Sequence, residues 1–344
     1  MRKFVLSLLV VALFSGLASA GEKKYRIALS NDYAGNSWRQ SMITDWNKAA
    51  ETAKKEGLIA EAPVFTTNES SAAEQAAQIQ SLILEGYDAI VLNAASPTAL
   101  NSVVQEALDA GIVVVSFDNA ITLPEAWRLI TDFEYMGRTQ VDYVAKRFPN
   151  GGNLLEVRGL AGTYVNDAIH NGIVEGLAKY PNLKIVNEVY GNWTSSVAQK
   201  EVAGILPSLP EISAVVTQGG DGYGTVKAFE SGGKGIPLVI MGNRYDELEI
   251  WKEMKDKNGY ETISLSIAPG ASTIAFWMAL EILEGREIPK EIRLLPYVVT
   301  EDKLDSALAN TPKGGVATIV YPRNWVVEMV ENVKAGKEPP ADPE

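Results

Sequence analysis

The sequence contains no cysteine. That absence excludes disulfides, a thiolate nucleophile and any Cys-ligated metal in one step. It also removes the thiol that would take a lipid anchor at an export cleavage site. Histidine is nearly absent too: His170 is the only one, so a His-based metal site or a Ser-His-Asp triad is very hard to build. No Walker loop, Gly-x-Ser-x-Gly elbow or His-Glu-x-x-His is present. A general base would have to be a carboxylate, and neither catalytic nor metal-binding residues are expected. Positive charge is scarce, with 31 Lys plus Arg against 43 Asp plus Glu and a net charge of −12. Such a balance argues against nucleic acid and anionic lipid as partners. No segment approaches the ~20 uninterrupted apolar residues of a membrane span.

What is present is ordinary for a globular chain: 344 residues, 46% hydrophobic and 22% charged, a length that favours two domains. Residues 1–20 read as a signal peptide. Arg2 and Lys3 form its positive end, Phe4 to Phe14 its apolar core, and Ala18-Ser-Ala20 its cleavage site. The expectation is an exported, freely diffusing protein without a lipid anchor, suited to the periplasm of a two-membrane bacterium.

The chain is organised around Tyr25-Arg-Ile-Ala-Leu-Ser-Asn-Asp-Tyr-Ala-Gly-Asn-Ser-Trp-Arg39. An apolar run fit for a buried strand breaks into a small-polar loop. From Trp38 a helical stripe begins, with Met42, Trp46, Ala49, Ala50 and Ala53 on one face. Asn36 or Ser37 is the candidate N-cap. Similar units follow: a helix over 72–84, strand 88–92 and a loop from Asn93, then a helix over 99–110 and strand 112–117 ending in Asp118-Asn-Ala120. Alternating short strands and helices specify a parallel sheet covered on both faces. The loops bearing Asn36, Asn93 and Asp118 therefore share its carboxyl edge, where open α/β sheets bind ligands.

A second series starts near Thr131-Asp132. It reads as helix 134–147, strand 154–157, loop Arg158-Gly-Leu-Ala-Gly-Thr-Tyr164 and a helix to Lys179, then strand 184–189 ending in Tyr190-Gly-Asn-Trp-Thr194. Helix 196–206, strand 214–217, helix 225–231, strand 238–241 and Gly242-Asn-Arg244 continue it. Beyond these the pattern predicts strand 262–267, an apolar helix 272–283, strand 292–300, strand 316–320 and helix 325–334. The tail 337–344 has no apolar face and is expected to fray.

Taken together, these residues resemble the periplasmic sugar-binding proteins of ABC importers, of the ribose-binding-like type I group. The resemblance spans Tyr25 to about Lys334. It rests on the signal peptide, Gly35-Asn-Ser-Trp38, Gly86-Tyr-Asp-Ala-Ile-Val-Leu-Asn93, Val113-Val-Val-Ser-Phe-Asp118 and Gly159-Leu-Ala-Gly-Thr163 opening a helix. It implies two similar doubly wound parallel-sheet lobes joined by a three-strand hinge. The lobes would be 21–131 plus 267–299 and 132–266 plus 300–336, with crossings near Thr131-Asp132, Ser266-Ile267 and Val299-Thr300. It further implies a monomeric binder of a small sugar or polyol, a membrane permease as partner, and no cofactor.

The resemblance carries ligand contact onto Asn36, Trp38, Asn93, Asp118, Trp193, Asn243 and Asp221. The chain departs from ribose binders at Asn243, where the group has an Asp, at Gly220, where it has an Asn, and at three further positions. Arg39 replaces an aromatic, Asn119 stands where an Arg is usual, and Asp167 falls where the group has another Arg. Ribose itself is therefore not carried over. A sugar needs flat aromatic faces for its C–H surfaces and planar polar groups for paired hydrogen bonds. Trp38 and Trp193 supply the first if they face the cleft rather than the core. The second falls to Asn36, Asn93, Asp118, Asp167, Asn243 and Arg39. Arg158 and Arg244 read as structural ion pairs, and His170 as a helix-face hydrogen-bonding group.

Three rivals are weighed against this. Gly219-Gly-Asp-Gly-Tyr-Gly224 fails the Gly-x-Gly-x-x-Gly spacing of a dinucleotide enzyme, because Thr225 stands at the last position. A sugar-responsive regulator would need a basic helix-turn-helix where the export signal lies. A binder that reports to a signalling receptor stays open, as does a sugar acid paired with Arg39.

Overall fold

In a computed structural model that describes residues 24–68 and 71–343, the two strand–helix series build two parallel sheets. The first series comprises β1 (Tyr25–Asn31), α1 (Ser37–Lys55), β2 (Ile59–Glu61), β3 (Val64–Thr66), α2 (Ala72–Leu84), β4 (Ala89–Asn93), α3 (Asn101–Asp109), β5 (Val113–Phe117) and β6 (Trp127–Thr131). Ile27, Ala28 and Leu29 are all fully buried. A strand covered on both faces reads as such a continuous apolar run rather than an alternation. Asn36 caps α1 by accepting the Arg39 amide at 2.8 Å, and Met42, Trp46, Ala49 and Ala53 turn into the core.

The second series comprises α4 (Phe133–Arg147), β7 (Gly152–Arg158), α5 (Tyr164–Leu177), β8 (Leu183–Tyr190), α6 (Ser195–Ile205), β9 (Ala214–Thr217), α7 (Gly222–Ser231), β10 (Leu238–Val239), α8 (Tyr245–Asn258) and β11 (Ser264–Ser266). Leu155 and Val157 enter one core cluster and Leu154 the other, so this sheet is also covered on both faces. The chain closes with α9 (Ala271–Leu283), β12 (Glu291–Leu294), β13 (Tyr297–Val299), α10 (Leu304–Asn310) and α11 (Arg323–Lys334).

The first sheet runs β12-β6-β5-β4-β1-β2, with β3 also on β1, and the second runs β10-β9-β7-β8. Strand order reverses between β1 and β4 in one sheet and between β7 and β9 in the other. Each sheet thus has a switch point where loops diverge and leave a crevice. The doubly wound two-lobed architecture expected from the sequence is the one observed.

Four features differ from the sequence reading. Strand 292–300 divides at Leu295-Pro296, because Pro296 has no N–H to continue a ladder. Its first half joins β6 in the first sheet and its second half pairs antiparallel with β11. The third crossing therefore falls at 295–296, not at Val299-Thr300. The segment 316–320 is not a strand. It holds one bridge, Val316 to Arg244, and then passes back to the first lobe. There α11 buries Val326, Met329 and Val330 in the cluster that contains Trp46 and Phe276.

Residues 300–336 are therefore split between the lobes rather than all in the second. The physical reason is α9, which is buried on nearly every side and needs cover that the first sheet alone does not supply. Finally, the tail packs instead of fraying. Trp325 Nε1 donates to the Ala341 carbonyl at 2.8 Å, and the Tyr321 hydroxyl to Asp342 Oδ1 at 3.2 Å. The expected signal peptide lies outside the described residues. Among those described, no helix is long and apolar enough to cross a membrane.

Candidate functional site

The first lobe's edge of the cleft is an ion network. Arg39, in the first turn of α1, places Nη2 3.1 Å from Asp32 Oδ1 and Nη1 3.4 Å from Asp118 Oδ2. Asn93, fully buried at the end of β4, donates from Nδ2 to Asp118 Oδ2 at 3.1 Å. Burial pushes the Asp118 carboxyl above its usual range, against the pull of Arg39, with Asp32 adding to the rise. Trp38 donates its indole N–H to the Ile267 carbonyl, at the second crossing, at 2.9 Å. The Asn119 amide bonds the Ala94 carbonyl.

The second lobe's edge is a loop assembly. Trp193 lies over Gly159, where a Cβ would come 2.2 Å from the indole. Arg244 Nη2 donates to the Trp193 carbonyl at 2.9 Å, and the Thr194 amide to Asp221 Oδ1 at 3.1 Å. Beneath them the buried Glu247 carboxylate accepts the amides of Gly222 (2.9 Å), Gly242 (3.0 Å), Gly220 (3.2 Å) and Arg244 (3.4 Å). Burial, then the charge of Glu247, raises the Asp221 carboxyl well above its ordinary value, with Arg244 opposing. Glu247 is raised by burial as well.

Among the described residues, the non-glycine residues with positive φ are Asp118 (56°), Asn192 (56°) and Trp193 (53°). Asp118 and Trp193 line the cleft cavity, and Asn192 directly precedes Trp193 in the same turn. Left-handed backbone costs energy and tends to persist where function over-determines the conformation.

Between the two edges lies a cavity of about 250 Å³. Asn36, Trp38, Arg39, Asp118, Asn119, Trp193 and Asn243 line it, as the sequence expected. Asn243 is already bonded through both ends of its amide, to the Tyr297 carbonyl and the Ser264 hydroxyl, so it ties β11 and β13 together at the cavity floor. Three expected residues do not line it. Asn93 stands behind Asp118 and Asp221 behind the Trp193 loop. The Asp167 side chain is 59% exposed and faces Arg158 at 3.5 Å, because the α5 N-cap Thr163 brings Tyr164 to the cleft and leaves Asp167 a turn away.

Sequence reasoning missed Tyr164 and Gln218 as cavity residues, and took Arg244 for a structural ion pair. The Gly-Asn-Arg stretch after a strand was the available signal for Arg244. Arg158 is such a pair, with Glu188 at 3.4 Å.

His170 Nδ1 sits 2.9 Å from Glu156 Oε1. With Glu188 these groups are close enough to surround a cation. Arg158 on Glu188 already supplies positive charge there, and none of Glu156, His170 and Glu188 lines the cleft cavity.

The profile of the periplasmic binding protein domain family matches residues 27–287. The chain belongs to that family. It is 38% identical to an ABC transporter solute binding protein from Thermobispora bispora, with a TM-score of 0.82 over 93% of this chain and 99% of that one. The xylitol-binding protein of Mycolicibacterium smegmatis is 26% identical over 78% of this chain and 76% of its own. A periplasmic solute binding protein from Actinobacillus succinogenes, solved with bound D-allose, shares the fold. Its TM-score is 0.71 at 22% identity over 82% of this chain and 100% of that one.

Proposed function

We propose that the protein captures a neutral monosaccharide or sugar alcohol between its lobes and delivers it to the membrane permease of an ABC importer. The observation that carries this reading is a cavity at two facing switch points, bounded by an indole on one side and a compensated Arg–carboxylate network on the other. The indole suits C–H faces and the network suits hydroxyls that both donate and accept. The names of relatives that bind xylitol, or ribose and allose, support the same ligand class.

Arg39 is engaged by two carboxylates, so an anionic sugar acid would have to displace one of them or bring a third negative charge beside it. That argues for a neutral ligand. In this reading Asn36, Trp38, Arg39, Asp118, Asn119, Trp193 and Asn243 contact the ligand or border it. Asn93 and Asp221 support them, and Asp167 plays no part. The protein acts as a monomer in the periplasm, freely diffusing after export, and releases its ligand unchanged. Closure is a population shift, because a ligand that touches both lobes favours the state in which they meet.

A thermal-shift panel of pentoses, hexoses, polyols (xylitol included) and aldonic acids tests this. A true ligand at a hundredfold excess over its dissociation constant adds about 2.7 kcal/mol of stability. The expected hit is a neutral compound. A response to aldonic acids alone, or to nothing in the panel, overturns the reading.

A further inference from the structure

A second, larger cavity of about 440 Å³ lies at the hinge itself. Every crossing contributes to its wall: Thr131, Ile267 and 294–297. Ile267 also lines the cleft cavity, so one crossing residue separates the two spaces. Its carbonyl is the one that receives the Trp38 indole N–H. Movement of this crossing is therefore felt on both sides.

Much of the remaining wall of the hinge cavity is the chain's own C-terminal segment, Glu338-Pro-Pro-Ala-Asp342. Two side chains of the first lobe fasten it, through the Trp325 Nε1–Ala341 and Tyr321–Asp342 hydrogen bonds. On the other side it faces Tyr297 and Lys303, which belong with the second lobe. Asp342 lies near enough to Tyr297 that its charge contributes to raising the Tyr297 hydroxyl, after burial. Pro339 and Pro340 are half-buried, and a proline pair carries little conformational entropy to lose on packing.

We propose that the C-terminal segment 338–343 is a hinge strap that holds the two lobes in the mutual orientation described above, and thereby sets the affinity of the cleft. Residues that never touch the ligand would then tune its capture, because apparent affinity scales with the fraction of protein in the binding-competent orientation. The strap rests on the reading of the cleft as a ligand site that works by lobe closure.

The test uses the full chain and a version ending at Lys337, each carrying Glu106→Cys on the first lobe and Glu211→Cys on the second. With no native cysteine, spin labels attach at those two sites alone. Pulsed electron resonance without any sugar reads the interlobe distance directly. The expected result is a broader distribution after truncation, with part of the population moved to longer distance. Trp325→Phe, which keeps a six-membered aromatic ring but removes the pyrrole ring with its N–H donor, should move the distribution the same way by a smaller amount.

Titration with the strongest hit among xylitol, D-ribose and D-allose should show about three- to tenfold weaker binding by the truncated chain. Identical distance distributions in truncated and full chains overturn the strap, as does unchanged or tighter binding. Failure of all three sugars to bind the full chain, with the distance effect intact, would instead count against the ligand reading while leaving the strap standing.

Discussion

The two edges of the cleft are built on different principles. The first lobe presents Arg39 from a capped helix and fixes it between Asp32 and Asp118, so charges on regular elements set its geometry. The second lobe presents Trp193 from a left-handed loop turn. It fixes that turn from beneath through Asp221, Arg244 and the four amides gathered by Glu247. One edge is rigid because its charges are paired, the other because one buried carboxylate collects the N–H groups of two loops. Ion networks and buried backbone bonds respond differently to pH and to mutation, so the contrast can be tested.

The largest effect is expected at the second edge. Glu247→Ala leaves three buried amides and one half-buried amide without their acceptor and should cost about 4 kcal/mol in urea denaturation. A cost under ~1 kcal/mol would mean that the loops hold themselves. Next come the faces themselves. Trp193→Ala should weaken sugar binding at least ~30-fold by calorimetry, equivalent to about 2 kcal/mol, while the apoprotein still unfolds cooperatively. Asp118→Asn tolerates the same left-handed backbone and removes only the charge, so a comparable loss there would place hydroxyl recognition on the ion network. If either variant kept full affinity, the corresponding edge would not border the ligand.

A smaller effect concerns pH. Burial raises Asp118, Asp221 and Glu247, so between the ordinary carboxylate range and their raised values the folded chain binds more protons than the unfolded one. Their contribution to stability is therefore present at mildly acidic pH and lost as pH rises through the raised values. The urea midpoint should be higher at pH 5 than at pH 7, and Asp221→Asn should flatten that difference. An unchanged slope in the variant would take Asp221 out of the account. The smallest effect sharpens the boundary of the site. Asp167→Ala should change sugar affinity by less than about twofold, since its exposed pairing with Arg158 is worth little.

Much of this was legible in the chain. The buried strand at Ile27–Leu29, the helical stripe from Trp38, and the polar residues at strand ends each follow from local periodicity and capping. The edge placement of Asn36, Arg39 and Asp118 follows from the loops in which they stand, whereas the place of Trp193 at the cleft was implied by the resemblance to sugar-binding proteins. The three-residue strands β2 and β3 were too short to stand out from their loops. The fork in strand 292–300 was marked by Pro296, but which sheet each half would join was not. The Glu247 hub carried no motif, because its partners lie on loops brought together only by the second sheet.

Residue order alone settled where strands yield to helices and which loops share the carboxyl edge of each sheet, because capping and periodicity act over a few residues. It also fixed the acid excess and the scarcity of catalytic groups. Which side chain at that edge reaches the cavity was decided only by the tertiary structure. Asp118 stands in front of Asn93 and Tyr164 in front of Asp167. The lobe that α11 joins, and the packing of the tail on the hinge, were decided there too. These choices depend on contacts as distant in sequence as Trp38 to Ile267, 229 residues apart, and no local pattern records who will be opposite whom once two sheets have closed on one another.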